Sequence, residues 1–157
     1  PNLHTEKLLS LYAIIFYIQI LITMNTISIS ERTTPERVCN LQPGEIFVFG
    51  SNLQGMHGGG AARLAYDRWG AVWGQGVGLQ GQTYAIPTMH GGPETIRPYV
   101  DEFVNFAKSH PELKFLVTEI GCGIAGFTPQ DIAPLFHDAI NVDNVCLPSR
   151  FWAILAK

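Results

Sequence analysis

Charge is what this chain has least of. Only 15% of its 157 residues are Asp, Glu, Lys or Arg, and 10 basic against 13 acidic residues leave a net charge of −3. That balance excludes the basic footprint of a nucleic-acid binder, so any bound phosphate must be held mainly by main-chain N–H groups. Cysteine is scarce as well: Cys39, Cys122 and Cys146 are odd in number, widely spaced and form no CxxC. A disulfide framework and a zinc site are thereby disfavoured, and a reducing, cytoplasmic setting without metal or cofactor is the expectation. The chain also lacks GxxxxGK(S/T), GxSxG and HExxH. These absences remove the P-loop, the nucleophile elbow and the metalloprotease helix. No internal repeat or low-complexity segment is present.

What is abundant is apolar and glycine residues. At 46% hydrophobic, a chain of this length buries a core without staples, and one domain is the reading. Ahead of it runs Leu8 to Ile22, LLSLYAIIFYIQILI, preceded by Lys7. As a run it is short of the roughly 20 residues of a membrane span. It resembles the apolar stretch of a signal peptide, but no small-x-small cleavage site follows. The chain opens on Pro1, and Met24 stands just past the run. The preferred division therefore puts a hydrophobic segment at residues 1–23, outside the functional domain, and a single domain at 24–157. A signal or anchor segment is a second reading, and an element packed on the domain is a third.

Within the domain, Asn25 to Ser30 alternates polar and apolar residues and predicts a short edge strand. Thr34-Pro35-Glu36 has the cap, first-position proline and first-turn acid of a short helix. Ile46 to Phe49 is a fully apolar run, the mark of a buried strand. Helices are predicted from Gly60 to Trp69, from Glu94 to His110 and from Thr128 onward. Strands are predicted at Thr83–Pro87, Lys114–Ile120 and Asn144–Pro148, with a tail from Phe151 that packs back. Alternating strands and helices make an α/β domain, with a largely parallel sheet covered on both sides.

Most of the sixteen glycines fall in three clusters: Gly55 to Gly60, Gly70 to Gly81 and Gly121 to Gly126. Gly76-x-Gly78-x-x-Gly81 matches the dinucleotide fingerprint in letters only. A strand-like segment, not a helix, follows it, and no acid stands at the required distance. Each cluster borders a predicted strand. In open α/β sheets ligands bind beyond the carboxyl ends of strands, so the three loops together predict a crevice rich in bare N–H groups that suits a diphosphate. The competing reading is that the glycines only make tight turns.

The segments FGSNLQGMHGGGAARLA and FLVTEIGCGIAGFTPQDIA together resemble the macro domain, the ADP-ribose-binding fold. The likeness runs from Glu45 to Pro148 and rests on Asn52, on Gly58-Gly59-Gly60-Ala61 and on Gly121-Cys122-Gly123-Ile124-Ala125-Gly126-Phe127. Gly81 and Gln82 stand where that family has a further glycine loop. The resemblance implies a three-layer αβα sandwich with a mixed sheet. It implies that these loops bind ADP-ribose or a related nucleotide, with hydrolysis of an ADP-ribosyl linkage as an activity and an ADP-ribosylated macromolecule as a partner. No membrane partner is expected for the core domain. Members that remove ADP-ribose from acidic side chains carry an Asp just after the first glycine loop; Ala61-Ala62 holds that place here. A non-catalytic binding module is the alternative.

The catalytic candidates are Asn52, to orient a ribose hydroxyl or a water, and His57, an acid–base group near neutral pH. Asn52 could equally cap the turn after its strand. Cys122 reads as a small loop filler or a nucleophile activated by nearby N–H dipoles. Gln75, Gln80 and Gln82 are further hydrogen-bonding candidates. Phe127 is expected against the distal ribose or in the core.

Overall fold

A computed structural model describes residues 2–157. The chain divides into two units, residues 1–31 and Arg32–Lys157. The first is one helix, α1, Leu3–Glu31, of 29 residues. It is long and apolar enough to cross a membrane by length and composition. The expected edge strand at Asn25 to Ser30 is therefore corrected: those residues continue α1. Thr26 Oγ1 donates to the Ile22 carbonyl at 2.9 Å, a local bond that lets a strand-prone residue stay helical. The compact α/β unit accordingly begins at Arg32, eight residues beyond Met24.

The second unit is a six-stranded mixed sheet between helices, the α/β three-layer architecture expected from the sequence. Its strands are β1 (Thr33–Thr34), β2 (Glu45–Ser51), β3 (Gly78–Gln80), β4 (Thr83–Pro87), β5 (Lys114–Val117) and β6 (Val145–Pro148). The order across the sheet is β1-β6-β5-β2-β4-β3, and every pairing is parallel except β3 with β4. Helices α2 (Gly60–Arg68), α3 (Pro93–Ser109), α4 (Pro129–Ile132) and α5 (Ser149–Leu155) join or follow the strands, and a 3-10 helix at Ala133–Ala139 continues α4.

β2 is central because its apolar run is buried on both sides, Ile46, Phe47, Val48 and Phe49 being at most 4% exposed. Side chains alternate across a strand. Phe47 and Phe49 pack with Ala62, Ala65 and Ala85 on the α2 face, and Phe47 meets Trp69 at 4.8 Å. On the opposite face Tyr84 meets Phe103 at 5.1 Å, Phe103 meets Phe115 at 5.4 Å, and Phe136 meets Phe151 at 5.8 Å. α3 supplies that face with Ile96, Val100, Phe103, Val104 and Ala107, all buried at helical spacing. Right-handed crossovers explain the two layers. The chain steps from β2 to β4 in one direction through α2, then returns past β2 to β5 through α3, which must lie on the other face.

That reversal puts a topological switch between β2 and β5, where open sheets leave a crevice at the carboxyl ends. The expected helix after Thr34 is absent; residues 35–43 hold no helix or strand. They must return from the carboxyl end of β1 to the amino end of β2 and cross three strand spacings, about 14 Å. A helix rising about 1.5 Å per residue would leave that path too short.

Candidate functional site

The loops that leave β2 and β5 enclose a cavity of about 250 Å³. Its walls include Asn52, Gly59, Gly60 and Ala61 from the first loop, and Gly121, Gly123, Ile124 and Ala125 from the second. Two glycine clusters separated by some sixty residues in sequence thus meet over the switch point.

Main-chain bookkeeping shows what the walls offer. α2 begins at Gly60 with Gly59 as its N-cap, and no side chain caps it. The first helical bond is Arg63 N–H to the Gly59 carbonyl at 3.2 Å. Among the described residues, the N–H groups of Gly60, Ala61 and Ala62 have no acceptor within the chain. They stand at the positive end of the helix dipole. In the second loop, Cys122 N–H bonds to the Glu119 carbonyl, Gly126 N–H to Gly123, and Phe127 N–H to Gly121, at 3.2, 3.0 and 2.9 Å. These bonds fold residues 121–127 into a closed loop. The N–H groups of Gly121, Gly123, Ile124 and Ala125 are left without an acceptor among the described residues, and all four residues line the cavity. Unpaired donors from both walls make a nest for an anion.

Among the described residues, no lysine or arginine lines this cavity. Its one charged side chain is Glu119, which Arg150 grips with two donors: Nε to Oε1 at 2.9 Å, and Nη2 to Oε2. The guanidinium offsets a carboxylate that would otherwise repel a phosphate. Ser51, Thr88, Met89 and Thr118 also line the cavity. Sequence reasoning passed over these residues, although each sits at or just past the carboxyl end of a strand, which was signal enough. Their hydroxyls hold the crevice together: Ser51 donates to the Gly76 carbonyl, and Thr118 Oγ1 to the Val48 carbonyl at 2.7 Å.

A second cavity, about 590 Å³, adjoins the first and shares Ala61, Thr118 and Glu119 with it. It is lined by apolar Val38, Phe47, Leu64 and Val117 and by polar Thr34, Arg37 and Ser149. Thr34 is 6% exposed, and its Oγ1 has no hydrogen-bond partner. An unpaired buried hydroxyl is costly and is satisfied by a ligand or water.

Several expected site residues lie elsewhere. His57 is fully buried. Its Nε2 is 2.9 Å from the Val72 carbonyl, so Nε2–H donates and Nδ1 is left bare in the core. Phe49 stands edge-on to its ring at 5.2 Å. His57 ties two loops together beneath the surface and does not line the cavity, which takes it out of the catalytic role. Gly81 and Gln82 form the turn between β3 and β4 at the amino end of the sheet, away from the crevice. Gln82 Nε2 donates to the carbonyls of Gln42 and Glu45 at 3.3 and 3.4 Å. Gln75 and Gln80 spend their amides inside the same 71–82 loop. Phe127 does not line the cavity; a Cβ built on Gly121 would meet its ring at 3.2 Å and Ile132 at the same distance, so it packs beneath the loop. Gly58, Gly126 and Cys122 shape the loops without lining the cavity.

Asn52 does line it, in the capping geometry. Its Nδ2 donates to the Met56 carbonyl at 3.0 Å, and its Oδ1 accepts from Met56 N–H at 2.8 Å. One amide N–H remains for a ligand. Burial, with Glu119 adding to it, pushes the Cys122 thiol up to about 11. It is therefore a neutral thiol at physiological pH and not an activated nucleophile.

Comparison of the chain with family models, with curated proteins and with solved structures gives no match.

Proposed function

We propose that the α/β unit binds ADP-ribose or a closely related nucleotide diphosphate, as a recognition module. The observation that carries this reading is the pair of unpaired N–H sets, Gly60 to Ala62 on one wall and Gly121, Gly123, Ile124 and Ala125 on the other, facing one cavity. A diphosphate has oxygens to satisfy both sets at once, and main-chain donors grip it without lysine or arginine. The two adjoining cavities accommodate the ends. The larger, partly apolar one suits a base, with Thr34 Oγ1 as its buried polar partner. The smaller one, beside Asn52, suits the distal sugar. Each volume is near or within the roughly 300–1,000 Å³ of ligand pockets. The resemblance of the two glycine loops to those of macro domains favours ADP-ribose among diphosphates. Three free thiols fit a reducing, cytoplasmic setting.

Recognition is preferred to turnover because His57 is buried and Asn52 is engaged at both ends of its amide. Hydrolysis of an ADP-ribosyl linkage is the second reading, and Glu119 is the observation for it. Glu119 is the one carboxylate in the crevice that adjoins both cavities, so it could activate a water once released from Arg150. Titration calorimetry with ADP-ribose tests the shared claim: saturable heat at micromolar concentration is expected, a binding free energy of about −8 kcal/mol. No heat at millimolar ligand sinks both readings. Incubation with an ADP-ribosylated protein separates them, since release that disappears in Glu119→Gln selects the enzyme.

A further inference from the structure

We infer that α1 is a membrane-spanning anchor and that the α/β unit works at the surface of a lipid bilayer. The argument is independent of what the crevice binds. No charged residue occurs between Lys7 and Glu31, and charges bracket that stretch: Glu6 and Lys7 before it, Glu31 and Arg32 after it. At 1.5 Å per residue the uncharged stretch from Leu8 to Ser30 is about 35 Å long. The hydrocarbon core of a bilayer is about 30 Å. The 15-residue apolar run that looked short in the sequence is thus embedded in a 29-residue helix, which is long enough.

The occupant follows from the distribution of side chains. Leu9, Tyr12, Phe16 and Ile22 are exposed, and apolar residues occupy the whole circumference. A helix lying in the membrane interface needs a charged or strongly polar face, and α1 has none. Two of its hydroxyls are treated as hydrocarbon requires. Thr23 Oγ1 donates to the Gln19 carbonyl and Thr26 Oγ1 to the Ile22 carbonyl, each at 2.9 Å, so these hydroxyls are satisfied inside the helix. Lipid covers every side of such a helix at once.

The α/β unit starts at Arg32, directly after the helix, without a spacer. Its guanidinium donates to the carbonyls of Ala139, Ile140, Val142 and Val145, at 2.7 to 3.1 Å. The first residue beyond the anchor is therefore already built into the folded unit.

The test uses the full chain. Cells making it are fractionated, the membrane pellet is washed with alkaline carbonate, and the retained chain is weighed by mass spectrometry. The purified chain is then floated with phosphatidylcholine vesicles. The expected result is an intact chain that resists carbonate and floats. Ile15→Arg with Ile18→Arg should move at least nine-tenths of it to the soluble fraction, while Ile15→Leu with Ile18→Leu should leave it in the membrane. A soluble chain shortened from its amino terminus would make α1 a removed leader and overturn the proposal. So would a full chain that stays soluble as an oligomer, or one that sediments without floating. Retention of the double arginine variant in the carbonate-washed pellet would overturn it as well.

Discussion

Two kinds of glycine coexist in this fold, and the contrast is sharpest between the cavity loops and the β3–β4 turn at the other end of the sheet. At the carboxyl ends, a Cβ built on Gly58, Gly60, Gly123 or Gly126 would meet nothing within 4 Å, and one on Gly59 would meet only Ile124, at 3.6 Å. At the amino end, a Cβ on Gly81 would lie 2.5 Å from the Trp69 carbonyl oxygen and 2.9 Å from Gly70 Cα. The first kind of glycine leaves space for something from outside. The second lets the chain approach itself. Their composition is the same, but at Gly58, Gly59 and Gly123, where φ is not positive, the consequences of substitution are the opposite of those at Gly81.

The largest effect is expected at the closed end. Gly81→Ala places a side chain at φ +59° against backbone that cannot move aside. Positive φ and overpacking together should cost about 3 kcal/mol. That corresponds to a fall in thermal midpoint of roughly 10 °C, readable by calorimetric scanning. ADP-ribose affinity measured well below that midpoint should be unchanged. A variant that keeps its midpoint but loses affinity would erase the distinction between the two ends.

The open end should behave in reverse. Gly59 has φ −155°, which any residue adopts, and a side chain there has room. Gly59→Glu should leave the thermal midpoint within about 2 °C. It should weaken ADP-ribose binding about 100-fold, near 2.7 kcal/mol, by filling the cavity and repelling phosphate. Unchanged calorimetric affinity would mean that the ligand sits elsewhere.

A smaller effect sharpens the contrast by asking what holds the open loop in shape. Thr128 and Asp131 close it with a capping box: the Asp131 carboxylate accepts from Thr128 N–H and from its hydroxyl, both at 2.9 Å. Those bonds hold its pKa below the ordinary 3.8. Because the folded pKa is the lower one, the stabilisation is complete above the ordinary value and is lost as pH falls through the folded one. The midpoint difference between the native chain and Asp131→Asn should therefore be greatest at neutral pH and shrink below about pH 4. A difference that persists undiminished into acid would show that the cap is not electrostatic.

Much of the scaffold was legible in the sequence for local reasons. The apolar run Ile46 to Phe49, the amphipathic period from Ile96 to Ala107 and the Thr128-Pro129-Gln130-Asp131 cap each carry their own signal, and the structure realises all three. Where local and global demands conflicted, the sequence misled. The alternation from Asn25 to Ser30 reads as a strand, but those residues extend a helix already propagating from Leu3, and propagation costs less than a new start. Of the site, Asn52 and both glycine walls were legible as turns next to strands. The fate of His57 was not, because its burial depends on Val72 and Phe49, contacts that no local pattern encodes. Nor could letter counts separate Gly81 from Gly59; only the distance to other backbone does.

The unpaired N–H groups around the cavity carry an implication for how the chain can change over time. Every residue but proline has an N–H, so the donors of Ala61, Ile124 and Ala125 survive almost any exchange of the side chains that bear them. What must be kept is the path of the main chain, which is set by a few glycines, one cap and the buried strands beneath. A site of that kind tolerates wide drift in its letters while its grip on an anion persists. Kinship among proteins that share it would then be visible in the course of the backbone long after it had faded from the text.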